Sequence, residues 1–146
     1  MITNISEEAK KEITAILELH EAKFGGNVQH LINELNGMNG YATVEKQLRE
    51  ELDYIQQATN MTMAVLASNK RYRPIVVARQ FAMYAVYNNF TRKGYSLKMV
   101  GDLFNRDHAT VMYSIKTIRT YIEVADPLVM GILNRYKEIK QHKLAA

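Results

Sequence analysis

Apolar positions recur along most of the chain at intervals of three and four residues, the spacing that places them on one side of an α-helix, and no alternating stretch beside a tight turn suggests a strand pair. The first such pattern covers residues 6–23, with Ile13, Ile16, Leu17 and His20 or Phe24 on one stripe, Ser6 as N-cap and Gly25-Gly26 as the stop. A short helix is predicted over 28–35, carried by Val28, Leu31, Ile32 and Leu35. Asn36, Gly37, Asn39 and Gly40 then form a turn-rich break, which predicts a boundary between an N-terminal extension, residues 1–40, and a second domain, residues 41–146. Beyond it Thr43 caps a helix whose buried row is Val44, Leu48, Leu52 and Ile55, and an apolar turn follows over 61–66.

From Pro74, suited to a first turn, Ile75, Ala78, Ala82, Ala85 and Val86 predict a longer helix to about Phe90, and Gly94 stops it. Ser96 caps a short helix over 97–104, Asp107 caps another over 108–122, and Asp126 with Pro127 starts a last one through Met130, Leu133 and Tyr136. The expected fold is all-α, with no internal repeat and no low-complexity segment.

Composition adds little until it is resolved along the chain. The 146 residues include no cysteine, so neither a disulfide framework nor a thiolate zinc site is available, and the histidines at 20, 30, 108 and 142 have no metal-ligand spacing. No apolar run reaches membrane-spanning length and the N-terminus is charged, which predicts a cytoplasmic protein with no membrane partner. The net charge of +4 is the average of two unlike parts. Residues 1–45 hold three basic against seven acidic side chains, whereas residues 70–119 hold ten basic against two acidic. A surplus confined to one segment is the pattern of a polyanion-binding surface.

That segment also contains two helices joined by only Asn105, Arg106 and Asp107, the spacing of a helix-turn-helix. At about 100° per residue, Val111, Ile115, Ile118 and Ile122 of the second helix fall on one stripe, and Ala109, Tyr113, Lys116 and Thr120 point the other way. One face is core; the other is free to enter a major groove, with the helix N-terminus available to phosphate.

The run Val100-Gly101-Asp102-Leu103-Phe104-Asn105-Arg106-Asp107-His108-Ala109-Thr110-Val111 resembles the signature of the C-terminal DNA-binding domain of the DnaA chromosomal replication initiators, centred on Arg-Asp-His-Thr-Thr-Val. Upstream, Arg79-Gln80-Phe81-Ala82-Met83-Tyr84 is similar to the family's Arg-Gln-x-Ala-Met stretch, and Lys70-Arg71-Tyr72-Arg73 occupies its basic loop. The resemblance covers residues 44–122 and implies a Trp-repressor-like helix-turn-helix that recognises a short duplex box, the second helix in the major groove and the basic loop toward the neighbouring minor groove. By position it implies Asp107, His108 and Ala109 at base edges, Lys116 near the backbone, and Arg71, Arg73, Arg79, Lys98 and Arg106 as phosphate or loop contacts, with Thr110 and Tyr113 completing the DNA-binding set. Two residues depart from the family: Ala109 replaces a base-contacting threonine and offers only a methyl group, and Val77 stands where many members place an arginine or bulky residue that enters the minor groove.

The same residues have plainer uses. Asp107 caps a helix with or without DNA, His108 lies at the edge of the core stripe, Arg106 is four residues from Asp102, and Met83, Tyr84 and Tyr87 follow helical core spacing. No Gly-x-x-x-x-Gly-Lys-Ser/Thr loop occurs, so no nucleotide cofactor and no ATP hydrolysis are expected, and Asp107, His108 and Ser114 lack the further elements of a catalytic site. The expectation is a non-enzymatic, nucleoid-associated protein that binds double-stranded DNA in replication initiation or its control, its acidic N-terminal helices forming a homodimer or recruiting a protein partner. The alternative is an interaction adaptor or transcriptional regulator with a diverged initiator-like fold. A domain of this kind without the motor fits a phage or mobile element.

Overall fold

The computed structural model describes the backbone of residues 6–24 and 29–145 and the side chains of residues 6–16 and 43–143. Among them every regular element is helical: α1 (Glu7–Phe24), α2 (Gln29–Thr59), α3 (Met63–Leu66), α4 (Arg73–Phe90), a 3-10 turn (Thr91–Lys93), α5 (Leu97–Leu103), α6 (His108–Glu123) and α7 (Pro127–Ala145). Among the described residues no helix is long and apolar enough to cross a membrane. Two compact units are formed, Met1–Gln47 and Leu48–Ala146.

In the first unit α1 starts where the sequence predicts. The Ala9 N–H donates to Ser6 Oγ at 3.1 Å, and Glu7 and Glu8 place negative charge in the first turn, where the helix dipole favours it. Ile13 and Ile16 are exposed, while Leu17, His20 and Phe24 of the same stripe lie outside the described side chains, as do Gly25, Gly26 and Val28. The predicted turn at residues 36–40 is not present: α2 passes through Asn36, Gly37, Asn39 and Gly40 without interruption, and no new helix begins at Thr43. Each helical glycine costs only about 1 kcal/mol relative to alanine, and propagation from helix on both sides avoids a second nucleation.

The second unit is built around α4. Val77, Ala78, Phe81, Ala82, Met83, Ala85, Val86 and Phe90 are all buried, so this helix is covered nearly all round, by α3, α5, α6 and α7. Leu48 and Ile55 of the predicted row are buried and Leu52 partly so, and Met83 with the half-buried Tyr84 and Tyr87 belong to core and rim as their spacing predicts. Local signals mark the ends and starts of these helices, those at Gly94 and Asp126 where the sequence predicts them. Asn60 takes a left-handed conformation after α2, Gly94 (φ 97°) closes the 3-10 turn that follows α4, and the Val129 N–H donates to Asp126 at 3.1 Å at the start of α7.

A polar network crosses one end of the core. Glu51 of α2 is buried and accepts hydrogen bonds from the Tyr136 hydroxyl and from Asn89 (3.0 Å), while Lys140 of α7 lies 3.3 Å from its second oxygen. Asn89 and Lys140 also donate to the Tyr136 oxygen, at 2.9 and 3.0 Å. Burial, and then the hydrogen bond to Glu51, push the Tyr136 hydroxyl far above the ordinary phenol range, so it remains a donor. Among the described residues no buried side-chain polar atom lacks a partner.

Candidate nucleic-acid interface

The helix-turn-helix consists of α5, the turn 104–107 and α6. Ser96 caps α5 by accepting from the Met99 N–H at 3.1 Å, and Asp107 caps α6 by accepting from the Thr110 N–H at 2.8 Å. The turn closes on Gly101, whose carbonyl accepts from the N–H groups of Phe104 (3.0 Å) and Arg106 (2.9 Å). A Cβ on residue 101 would stand 2.3 Å from the Arg106 carbonyl oxygen, so only glycine permits this approach. Asn105 supplies the left-handed residue of the turn (φ 55°), a conformation asparagine tolerates.

The predicted division of α6 holds. Val111, Ile115 and Ile118 are buried, and Ala109, Tyr113, Lys116 and Thr120 are exposed on the other side. Asp107 and His108 are also exposed, so His108 does not pack in the core as one of its two uses required. Thr110 is half-buried, and its carbonyl accepts from the Ser114 hydroxyl at 2.8 Å. Hydrogen bonds from Thr110 hold the Asp107 carboxyl below its ordinary range. A lowered value in the folded state means that the cap contributes above the unfolded-state pKa and is lost as the pH falls through the folded one. Asp107→Asn, which retains a capping oxygen, is expected to melt like the parent, whereas Asp107→Ala should lower the thermal midpoint, and melting curves check both.

The α3–α4 connection, residues 67–72, which holds Lys70, Arg71 and Tyr72 of the expected basic loop while Arg73 opens α4, is tied to this motif. Arg106 donates to the Ser68 carbonyl at 2.6 Å, and also to the carbonyls of Phe104 (3.0 Å) and Asn105 (3.1 Å). Asn105 donates to the Ala67 carbonyl at 3.3 Å. From beneath, Arg79 of α4 donates to the carbonyls of Leu66 (2.5 Å) and Lys70 (3.1 Å). The suggested Arg106–Asp102 pair does not form, because the Arg106 guanidinium is taken by backbone carbonyls and Asp102 pairs with Lys98 at 3.2 Å. Arg73 lies 3.4 Å from Asp126 and 5.9 Å from the Tyr121 ring centre, which anchors the start of α4 to the α6–α7 region.

These ties sort the predicted contacts. Arg71, Arg73, Lys98 and Lys116 are exposed, and Arg106 is half-buried. Arg79 is only 5% exposed, so of its two expected roles the loop contact is the one its geometry serves. Burial first, and the nearby Arg106 charge second, lower its pKa from the ordinary guanidinium value. Val77 is buried in the core, so its side chain is not available at the surface. Arg71, Arg79 and Arg106, together with Asn69 and Asn105, line an open cleft of about 490 Å³ between loop and turn. Asn69, Asn105 and Gly101 were not singled out by sequence reasoning; an asparagine in the short turn between two helices, two residues before the Asp107 cap, was the available signal for Asn105.

Comparison with known proteins agrees with this geometry. Residues 52–118 match the family model described as the bacterial DnaA protein helix-turn-helix. The chromosomal replication initiator protein DnaA of Wolbachia pipientis wMel is 32% identical over 110 residues, 75% of this chain and 22% of that protein. The DnaA of Deinococcus deserti is 29% identical over 140 residues, 94% of this chain and 30% of that protein. The DnaA of a Wolbachia of Brugia malayi is 40% identical over 70 residues, 47% of this chain and 15% of that protein. The chain thus spans less than a third of the length of these relatives, and the matched model is the helix-turn-helix rather than an ATPase. No solved structure matches it significantly. Over residues 52–118, therefore, this chain resembles the helix-turn-helix domain of the bacterial DnaA proteins.

Proposed function

We propose that the chain binds double-stranded DNA at a short specific box, with α6 in the major groove and the basic loop toward the adjacent minor groove, and acts without catalysis in replication initiation or its regulation. The observation that carries this reading is the bracing of the loop against the turn by Arg106 and Asn105. One rigid surface then presents both a base-reading helix and a phosphate-binding loop, which is how contacts that position and contacts that specify are divided. Asp107, His108 and Ala109 face bases, Ala109 suiting a thymine methyl, and Tyr113 and Lys116 flank them. Arg71 and Lys98 take phosphates, and Arg106 faces them from the cleft. The relatives named as replication initiators support the biological role.

Affinity should fall steeply with salt, with a slope of about −0.9 per phosphate neutralised. Arg71→Ala is expected to weaken binding to all sequences and flatten that slope by about one unit, while His108→Ala changes which sequence is preferred. Fluorescence anisotropy on labelled duplexes measures both. Absence of binding to any duplex at low ionic strength would favour the adaptor reading instead. For the N-terminal unit, whose Ile13 and Ile16 are exposed, the proposed role is dimerisation or capture of a protein partner; sedimentation of the full chain across a concentration series separates the two.

A further inference from the structure

We infer that Tyr72 is a wedge that enters a base step of the minor groove beside the box read by α6, so that binding locally unstacks the duplex. This rests on the DNA-binding reading above. Tyr72 is 71% exposed, the most exposed large apolar side chain among the described residues. No fold requirement accounts for it. It occupies the N-cap position of α4 without a side-chain capping bond, and among the described residues its ring meets no aromatic or cationic partner.

Its backbone, by contrast, is fixed. The Tyr72 carbonyl accepts from the N–H groups of Ile75 (2.9 Å) and Val76 (3.0 Å), Lys70 is held by Arg79, and Arg73 by Asp126. A rigid stalk therefore projects a flat apolar ring between two exposed arginines, Arg71 and Arg73. Cations on either side of an apolar wedge is the arrangement by which proteins enter a minor groove, the arginines meeting phosphate or groove floor while the wedge parts two stacked bases. The position suits that groove, because the loop is tied at 67–68 to residues 105–106, just ahead of the α6 N-terminus. A single-strand platform would need successive rings along the track, and the neighbours of Tyr72 are Lys70, Arg71, Arg73 and Pro74.

The experiment uses the full chain and a duplex that it selects from a random pool, with adenines near the box replaced one at a time by the fluorescent base 2-aminopurine. Fluorescence should rise on binding at one position flanking the box. Tyr72→Phe should keep the rise, and Tyr72→Ala should abolish it and weaken binding by roughly fivefold to a hundredfold, with an unchanged melting curve. Tight binding by the parent with no rise at any position overturns the wedge and leaves the DNA-binding reading in place. So does a Tyr72→Ala chain that binds and brightens the probe like the parent. Failure of the parent to select any duplex overturns both.

Discussion

Gly101→Ala should lower the thermal midpoint of the chain by about 8–16 °C. In an ordinary helix the change would gain up to about 1 kcal/mol, because alanine is the better helix former. Here the new methyl group would sit 2.3 Å from the Arg106 carbonyl oxygen, with the Val111 side chain also close at 3.2 Å. The obstructing atom is backbone held in the turn by the Arg106-to-Gly101 hydrogen bond, so it cannot swing aside as a side-chain end does. Overpacking of this kind costs about 3 kcal/mol, leaving a net loss near 2 kcal/mol. A domain of roughly 100 residues converts each kcal/mol into about 4–8 °C. Thermal melting followed by circular dichroism is the measurement, and a midpoint equal to or above the parent's would refute the close approach of α5 to the turn.

Arg79→Met is expected to cost about 3 kcal/mol and to abolish tight duplex binding as well. Methionine keeps most of the aliphatic stem but leaves the Leu66 and Lys70 carbonyls without their charged donor. Hydrogen bonds to charged groups contribute about 1.5–3 kcal/mol each, and a carbonyl left buried without a partner loses more than the bond itself. The damage falls on the loop that carries Arg71 and Tyr72. Limited proteolysis should therefore cut near residue 70 in the variant well before the parent is cut. Arg79→Lys should rescue little, since a single ammonium cannot bridge two carbonyls as the planar fork does. A variant that melts and resists protease like the parent would mean that Arg79 does not brace the loop.

How much of this was legible in the sequence follows from how local each cause is. The caps at Ser6, Ser96, Asp107 and Asp126 and the stop at Gly94 act within one helical turn, and each lies where the sequence placed it. The inward stripe of α6 was equally readable because helical geometry alone generates it. The break at residues 36–40 was misread because glycine and asparagine weaken a helix locally, whereas its continuity is decided over several turns. For Arg79 and Arg106 the resemblance implied phosphate or loop contacts, and the linear sequence did not decide between them. A positive residue in a basic segment suggests phosphate, and nothing in the linear sequence tells that its partners are main-chain carbonyls 13 and 38 residues away. Glu51 was invisible for the same reason, since its partners are 38 to 89 residues further on and their convergence exists only once α2, α4 and α7 have packed.

That carboxylate separates what is recognisable from what can fold. The family match begins at residue 52 and ends at 118, so it excludes both Glu51 and the whole of α7. Cutting there would strip Asn89 of its carboxylate and Tyr136 partners and uncover the flank of α4 that Val129, Ile132 and Tyr136 belong against. Losing a partner from a buried, charged network typically costs 3–5 kcal/mol, a large part of the stability of a domain this size. The recognisable signature is thus shorter than the compact unit Leu48–Ala146, which also takes in the acidic side chain in α2 and the lysine that neutralises it in α7.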